Sequence, residues 1–277
     1  MMASYEAQRQ GDPEHGRERK PPTRDYVRIV ALGDSASCGV GDPTSDGWRG
    51  WARILVDAIA VDHHVSFCEL AVSGATVADL RQHQLHEAVD HRPTIAALVI
   101  GLNDVMRSTW DPDQIRQDLL HCAAELAREG TLIVTVRFHD HTRVLGLPRL
   151  LARPMLRRIQ VLNEIYDEVH ERCGTLRLDL DADSKVYDRD MWAADRLHPS
   201  ELGHRRLARL VAELLLEEGL EFGLPSQTCT ERRPSRVDIG WTLAADVAPW
   251  LARRVRDLGP WVAHETIRRT RSFLREG

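Results

Sequence analysis

No stretch of the 277-residue chain reaches the roughly 18 uninterrupted apolar residues that a membrane-spanning helix requires. From Met1 to Arg24 the chain is polar, rich in Arg, Lys, Glu, Pro and Gly. It lacks the apolar centre of a secretory signal, so a cytoplasmic protein is expected. Cysteine is scarce: Cys38, Cys68, Cys122, Cys173 and Cys229 are widely spaced and include no Cys-x-x-Cys pair, which fits reduced thiols. An excess of positive charge is lacking too. A net charge of -5 and a pI of about 6.2 give no global electrostatic reason to expect nucleic-acid binding. There is no internal repeat and no low-complexity tract.

What is present is an alternation. Five short apolar runs, 27–32, 65–70, 95–100, 131–136 and 175–180, are spread along the chain. The third and fourth are continuous and β-branched, as strands covered on both faces are. Between the runs lie segments with helical spacing. Trp51, Ile54, Leu55, Ala58 and Ile59 share one face, and Ile115, Leu119, Cys122, Ala123 and Leu126 share another after Pro112. Leu156, Ile159, Leu162, Ile165, Tyr166 and Val169 mark a third, and Leu207, Leu210, Val211 and Leu214 the last. Strand and helix in alternation predict an α/β fold with a parallel sheet between two helical layers. The domain reads as residues 26–220, preceded by a disordered tail over 1–25 and followed by a linker and an Arg/Trp-rich helical extension over 221–277.

Polar residues at strand ends carry the chemistry. The first run enters Gly33-Asp34-Ser35 directly, at the strand end where α/β proteins bind ligands. A helix terminus following this turn is expected to support the Ser35 N–H. The Gly-Lys-Ser/Thr ending of a phosphate loop is missing, and so is the second glycine of a Gly-x-Ser-x-Gly elbow, because Ser37 stands there. In Asp195-Arg196-Leu197-His198 a carboxylate and an imidazole stand three residues apart. In a tight turn both point one way, so the carboxylate can orient the ring that activates a serine hydroxyl. The second run ends near Gly74, where backbone can approach a substrate, and the third in Gly101-Leu102-Asn103-Asp104. The Asn103 amide and the N–H groups of Gly74 and Ser35 could together hold an oxyanion.

Gly33-Asp34-Ser35, Gly74, Gly101-x-Asn103-Asp104 and Asp195-x-x-His198 resemble, in order, the four sequence blocks of the SGNH/GDSL hydrolase family. The likeness covers roughly 26–218; Ala36 replaces the leucine of the commonest first block. The resemblance implies Ser35 as nucleophile, His198 as base and Asp195 as its orienting acid. It implies an oxyanion hole of Ser35 N–H, Gly74 N–H and Asn103, with Asp34 and Asp104 supporting. The implied fold is a flavodoxin-like three-layer α/β/α sandwich with a five-stranded parallel sheet in the order 2-1-3-4-5. The implied activity is hydrolysis of carboxylic esters, acyl or acetyl esters of small molecules, lipids or sugars, with no cofactor. An acyltransferase on the same residues, or a catalytically silent binding protein of this fold, are the alternatives.

Other features read as ordinary. Asp179, Asp181, Asp183, Asp188 and Asp190 imitate the start of a calcium loop, but Ser184 and Asp190 stand where it needs Gly and Glu. His139-Asp140-His141 has no accompanying ligand cluster and reads as pocket wall, so no metal is expected. Cys38 reads as a small packed residue, and the rings of Trp48 and Trp51 as packing at the start of the first helix. Arg143, Arg149, Arg153, Arg157 and Arg158 read as a solvated basic stretch ahead of the Leu156–Val169 helix. Over 236–277, tryptophans alternating with arginines suggest packing on the domain or a dimer contact, with a peripheral membrane contact as the alternative.

Overall fold

The computed structural model describes residues 25–229, apart from positions 46 and 129. The N-terminal tail and the Arg/Trp-rich stretch of 236–277 lie outside the described residues. Five parallel strands form the central sheet: β1 (Tyr26–Gly33), β4 (His64–Glu69), β5 (Ile95–Val99), β6 (Leu132–Arg137) and β7 (Leu176–Asp179). Their spatial order is β4-β1-β5-β6-β7, which is the 2-1-3-4-5 order expected. β1 pairs with β4 from Tyr26↔His64 to Ala31↔Glu69 and with β5 from Ile29↔Ile95 to Gly33↔Val99. The order reverses direction at β1, so the loops after β1 and β5 diverge to opposite faces and open a crevice at the carboxyl edge.

Helices cover both faces. α1 (Gly50–Ile59) packs against α8 (Glu201–Glu217). α2 (Val77–His83), α3 (Leu85–Asp90), α5 (Pro112–Ala127) and α7 (Arg149–Cys173) pack with one another, and short α4 (Leu102–Val105) and α6 (His141–Leu145) lie against α7. The core is continuous from Trp51, Leu55 and Ile59 through the strands to Leu119, Ile159, Leu162 and Tyr166. No helix among the described residues is long and apolar enough to cross a membrane.

Several local expectations shift. The buried stripe of α8 is Ala208, Val211, Ala212 and Leu215, with Leu207, Leu210 and Leu214 at its margin. The alanines let α8 approach α1 closely, which a count of large apolar side chains does not reveal. α7 begins at Arg149 and contains Pro154, so most of the basic stretch belongs to this helix and does not precede it. A two-residue hairpin, β2 (Pro43–Thr44) with β3 (Gly47–Trp48), projects between β1 and α1. Trp51 is buried as packing, whereas Trp48 is 51% exposed. Residues 221–229 have no regular structure but are fastened to the domain. His63 Nε2 bonds Glu221 O at 2.8 Å and Arg205 Nη1 bonds Ser226 O at 3.2 Å, while Phe222 is buried.

Candidate active site

Every residue singled out at a strand end meets at the carboxyl edge of the sheet. Ser35 follows β1 in a run of turns, in which Cys38 N–H donates to Asp34 O at 3.0 Å and Val40 N–H to Ser35 O at 3.0 Å. The helix terminus expected there is absent, since α1 starts only at Gly50. Consecutive turns therefore present the serine.

Close backbone contact brings the distant histidine to it. Gly41 has φ +105°, and a Cβ on it would lie 2.0 Å from Pro199 O. Only glycine lets the loop after Ser35 press on the loop that carries His198. Asp42 locks the same loop by accepting from Arg49 Nη2 at 2.8 Å and Arg49 Nε at 2.9 Å, and Arg49 also reaches Glu201 at 3.0 Å. His204 is buried between Trp51 N–H, 3.2 Å from its Nδ1, and Val40 O, 3.1 Å from its Nε2. Burial pushes its pKa down to about 4, so the neutral ring donates from Nε2 and accepts at Nδ1.

His198 Nε2 lies 2.8 Å from Ser35 Oγ, and His198 Nδ1 lies 2.6 Å from Asp195 Oδ2. Ala193 N–H donates to His198 O at 2.9 Å and Arg196 N–H to Ala193 O at 3.1 Å, closing a tight loop with Arg196 at φ +58°. Burial opposes ionisation of Asp195. The hydrogen bond and charge of His198 and the N–H groups of Leu197 and His198 outweigh it and hold the carboxyl below its ordinary value. An ionised carboxylate only accepts, so the shared proton sits on His198 Nδ1 and, in the neutral ring, Nε2 is free to take the Ser35 proton.

The loops of the three candidate donors border the Ser35 turn, since Asn103 Nδ2 reaches Asp34 and Val72 N–H, two residues before Gly74, donates to Gly33 O. Among the described residues, neither the Ser35 N–H nor the Gly74 N–H has a hydrogen-bond acceptor. Gly74 has φ +84° and nothing within 4 Å of a Cβ placed on it, so the space above it is open. Asn103 Nδ2 lies 3.1 Å from Ala75 O and 3.2 Å from Asp34 Oδ2. An oxyanion there would draw this amide from one of those acceptors. Asp34 Oδ1 also accepts from Ala36 N–H at 3.1 Å. Burial pushes the Asp34 carboxyl up to about 6, against the pull of Ala36 N–H, the His198 charge and Asn103. Asp104 Oδ2 accepts from Val77 N–H at 3.1 Å, and burial raises that carboxyl to about 7.

His139 and His141 are buried together. His139 Nε2 and His141 Nδ1 are 3.0 Å apart, and both rings lie against Trp192, with centroids at 5.1 and 5.0 Å. Burial pushes His139 to about 4 and His141 to about 3, so both are neutral near pH 7. In the acidic loop, Asp183 pairs with Arg206 at 2.8 Å and accepts from Lys185 N–H, and Asp181 accepts from Tyr187 OH.

Three supporting residues carried no sequence signal. Where the strands diverge at the carboxyl edge, their last peptides lose ladder partners, and buried side chains replace them. Gln84 bonds both N–H and C=O of Gly33 at 2.9 Å. Tyr166 OH accepts from Ile100 N–H at 3.2 Å and donates to Ile100 O at 2.8 Å. Asn163 bonds both groups of Phe138 at 2.8 Å. Each clamps a strand end that feeds a site loop. Their partners lie 25 to 66 residues away in the chain, beyond the reach of any local pattern.

Known proteins resemble this chain over the region that contains these residues. The pattern of the GDSL-like Lipase/Acylhydrolase family matches residues 31–206, more than half of the chain. An acetylxylan esterase from Geobacillus stearothermophilus is 24% identical over 212 residues, covering 70% of this chain and 95% of the relative. The crystal structure of Axe2, an acetylxylan esterase from the same organism, superposes with a TM-score of 0.57 at 19% identity, over 69% of this chain and 95% of that one. TesA superposes with a TM-score of 0.55 at 23% identity, over 68% and 97% of the respective chains. The chain belongs to the GDSL-like lipase/acylhydrolase family and is an esterase/acylhydrolase of the SGNH type.

Proposed function

We propose that the protein hydrolyses carboxylic esters through an acyl-enzyme, with Ser35 as nucleophile, His198 as general base and acid, and Asp195 orienting the ring. Ser35 Oγ attacks the acyl carbonyl while its proton passes to His198 Nε2. The negative charge on the carbonyl oxygen is met by the N–H groups of Ser35 and Gly74 and by the Asn103 amide. His198 returns the proton to the departing alkoxide, which leaves as the alcohol. Water then gives a proton to the same nitrogen and attacks the acyl-serine, releasing the acid and restoring Ser35. The observation that carries this reading is the unbroken series Ser35 Oγ, His198, Asp195 at 2.8 and 2.6 Å, together with two N–H groups, of Ser35 and Gly74, that have no acceptor among the described residues.

The likeness to an acetylxylan esterase supports short acyl esters, acetyl groups on carbohydrate hydroxyls foremost, as substrates. The test is hydrolysis of p-nitrophenyl acetate and of acetylated xylo-oligosaccharides by the protein and by Ser35→Ala. The variant is expected to fold with an unchanged melting temperature and to lose essentially all turnover. Substantial hydrolysis by Ser35→Ala would remove the serine from the mechanism.

A further inference from the structure

Gly74 is half-buried, between an exposed Val72-Ser73 pair, tied to β1 by Val72 N–H to Gly33 O at 3.1 Å, and the buried Ala75. No atom lies within 4 Å of a Cβ placed on Gly74. No side-chain packing holds Gly74 itself, and a glycine at φ +84° has wide conformational freedom of its own. Two hydrogen bonds act on the peptide that follows it. Ala75 N–H donates to Val72 O at 3.0 Å, and Arg107 Nη2 donates to Gly74 O at 2.8 Å.

Arg107 is itself held. It lies just past α4, which carries Asn103, and Arg158 of α7 donates from Nη1 to Val105 O at 2.8 Å and to Arg107 O at 2.7 Å. Arg158 is only 6% exposed, so its charge is placed in the interior where backbone carbonyls solvate it. Arg107 Nε is buried with no partner among the described residues. A buried donor left unpaired costs on the order of 1–3 kcal/mol, so this guanidinium keeps its position on Gly74 at the expense of one of its own bonds.

We propose that Arg107 is a positioning residue for the Gly74 N–H, and that Arg158 relays the rigidity of α7 to it. The two arginines tie the loop after β4 to the loop after β5, so the Gly74 donor and the Asn103 donor keep one spacing. Asn103 Nδ2 to Ala75 O and Val77 N–H to Asp104 Oδ2 complete the same seam. The proposal rests on the reading of Gly74 as an oxyanion donor.

The test compares kcat, KM and melting temperature for p-nitrophenyl acetate in the full chain, in Arg107→Ala, Arg107→Lys, Gly74→Ala and Ser35→Ala, and in Arg107→Ala combined with Gly74→Ala. Arg107→Ala should lower kcat about 10- to 100-fold with KM little changed, less than the about 100- to 1,000-fold typical of losing a donor outright. Arg107→Lys, which can still reach a carbonyl, should recover most of the loss, and added guanidinium at sub-denaturing concentration should rescue Arg107→Ala. If Arg107 acts through Gly74, its removal costs little more in the Gly74→Ala background. Unchanged kcat in Arg107→Ala, or a loss of equal size in both backgrounds, would overturn the proposal. Should Arg107→Ala fail to fold, Arg107→Lys decides: near-normal kcat supports the proposal, and a loss as deep as that of Gly74→Ala overturns it. Turnover retained in Ser35→Ala would instead strike the reading of the site as a whole.

Discussion

Gln84 grips both backbone groups of Gly33. Its Oε1 accepts from the Gly33 N–H and its Nε2 donates to the Gly33 C=O, each at 2.9 Å, and the side chain is 2% exposed. Gly33 is the last residue of β1 and stands two positions before Ser35. Its neighbour β4 ends opposite Ala31; beyond that end Val72 N–H still donates to Gly33 O at 3.1 Å, and the amide of Gln84 supplies the acceptor for the Gly33 N–H.

Replacement by an apolar side chain of similar size separates this role from packing. In Gln84→Leu the buried Gly33 N–H loses its partner while Gly33 O keeps the Val72 N–H at 3.1 Å, so a loss of about 1–3 kcal/mol is expected. The freed strand end should also lower kcat, since the serine turn hangs from it. Urea denaturation gives the first quantity and steady-state kinetics the second. A variant within experimental error of the parent in both would show that the clamp is dispensable.

Gln84 also illustrates what a sequence conceals. β5 and β6 were legible because strands buried on both faces must be continuous and β-branched, and 95–100 and 131–136 fall on them almost residue for residue. The polar residues of the site were legible because they interrupt the chain directly after such runs. Side chains that clamp backbone were not, because a glutamine beside a helix looks the same whether it faces water or Gly33. Arg158 misled for a related reason. Its charge suggested a solvated face, while the fold supplies carbonyls at Val105 and Arg107 that let it be buried. The β2–β3 hairpin is too short to show a period.

The buried carboxyls predict how stability changes with pH. Burial raises Asp104 from 3.8 to about 7, and the charge of Asp34 adds to the shift. A carboxyl raised on folding contributes stability that is fully present below its unfolded value and is lost as pH rises through the folded one. Ionising Asp104 therefore costs folding free energy between about pH 4 and 7, on the order of 4 kcal/mol in all. Asn at this position keeps an oxygen for the Val77 N–H but has no proton to lose. Urea midpoints at pH 4, 6 and 8 should show Asp104→Asn gaining on the parent as pH rises, whereas parallel curves would contradict the shift.

The carboxylate of Asp195 serves two sets of donors, and this makes Asp195→Asn a sharp test of proton placement. Oδ1 accepts from Leu197 N–H at 2.9 Å and His198 N–H at 3.1 Å, while Oδ2 accepts from His198 Nδ1 at 2.6 Å. An asparagine has one accepting oxygen, and the two backbone N–H groups fix where it must sit. Its NH2 then faces His198 Nδ1 and donates to it, which moves the ring proton to Nε2. That nitrogen, 2.8 Å from Ser35 Oγ, then holds a proton where it should receive one. Because every hydrogen bond of the loop is kept in number, the variant should melt as the parent does, yet lose on the order of 10⁴ in kcat. A loss below about tenfold would mean that the tautomer of His198 is set by something other than Asp195.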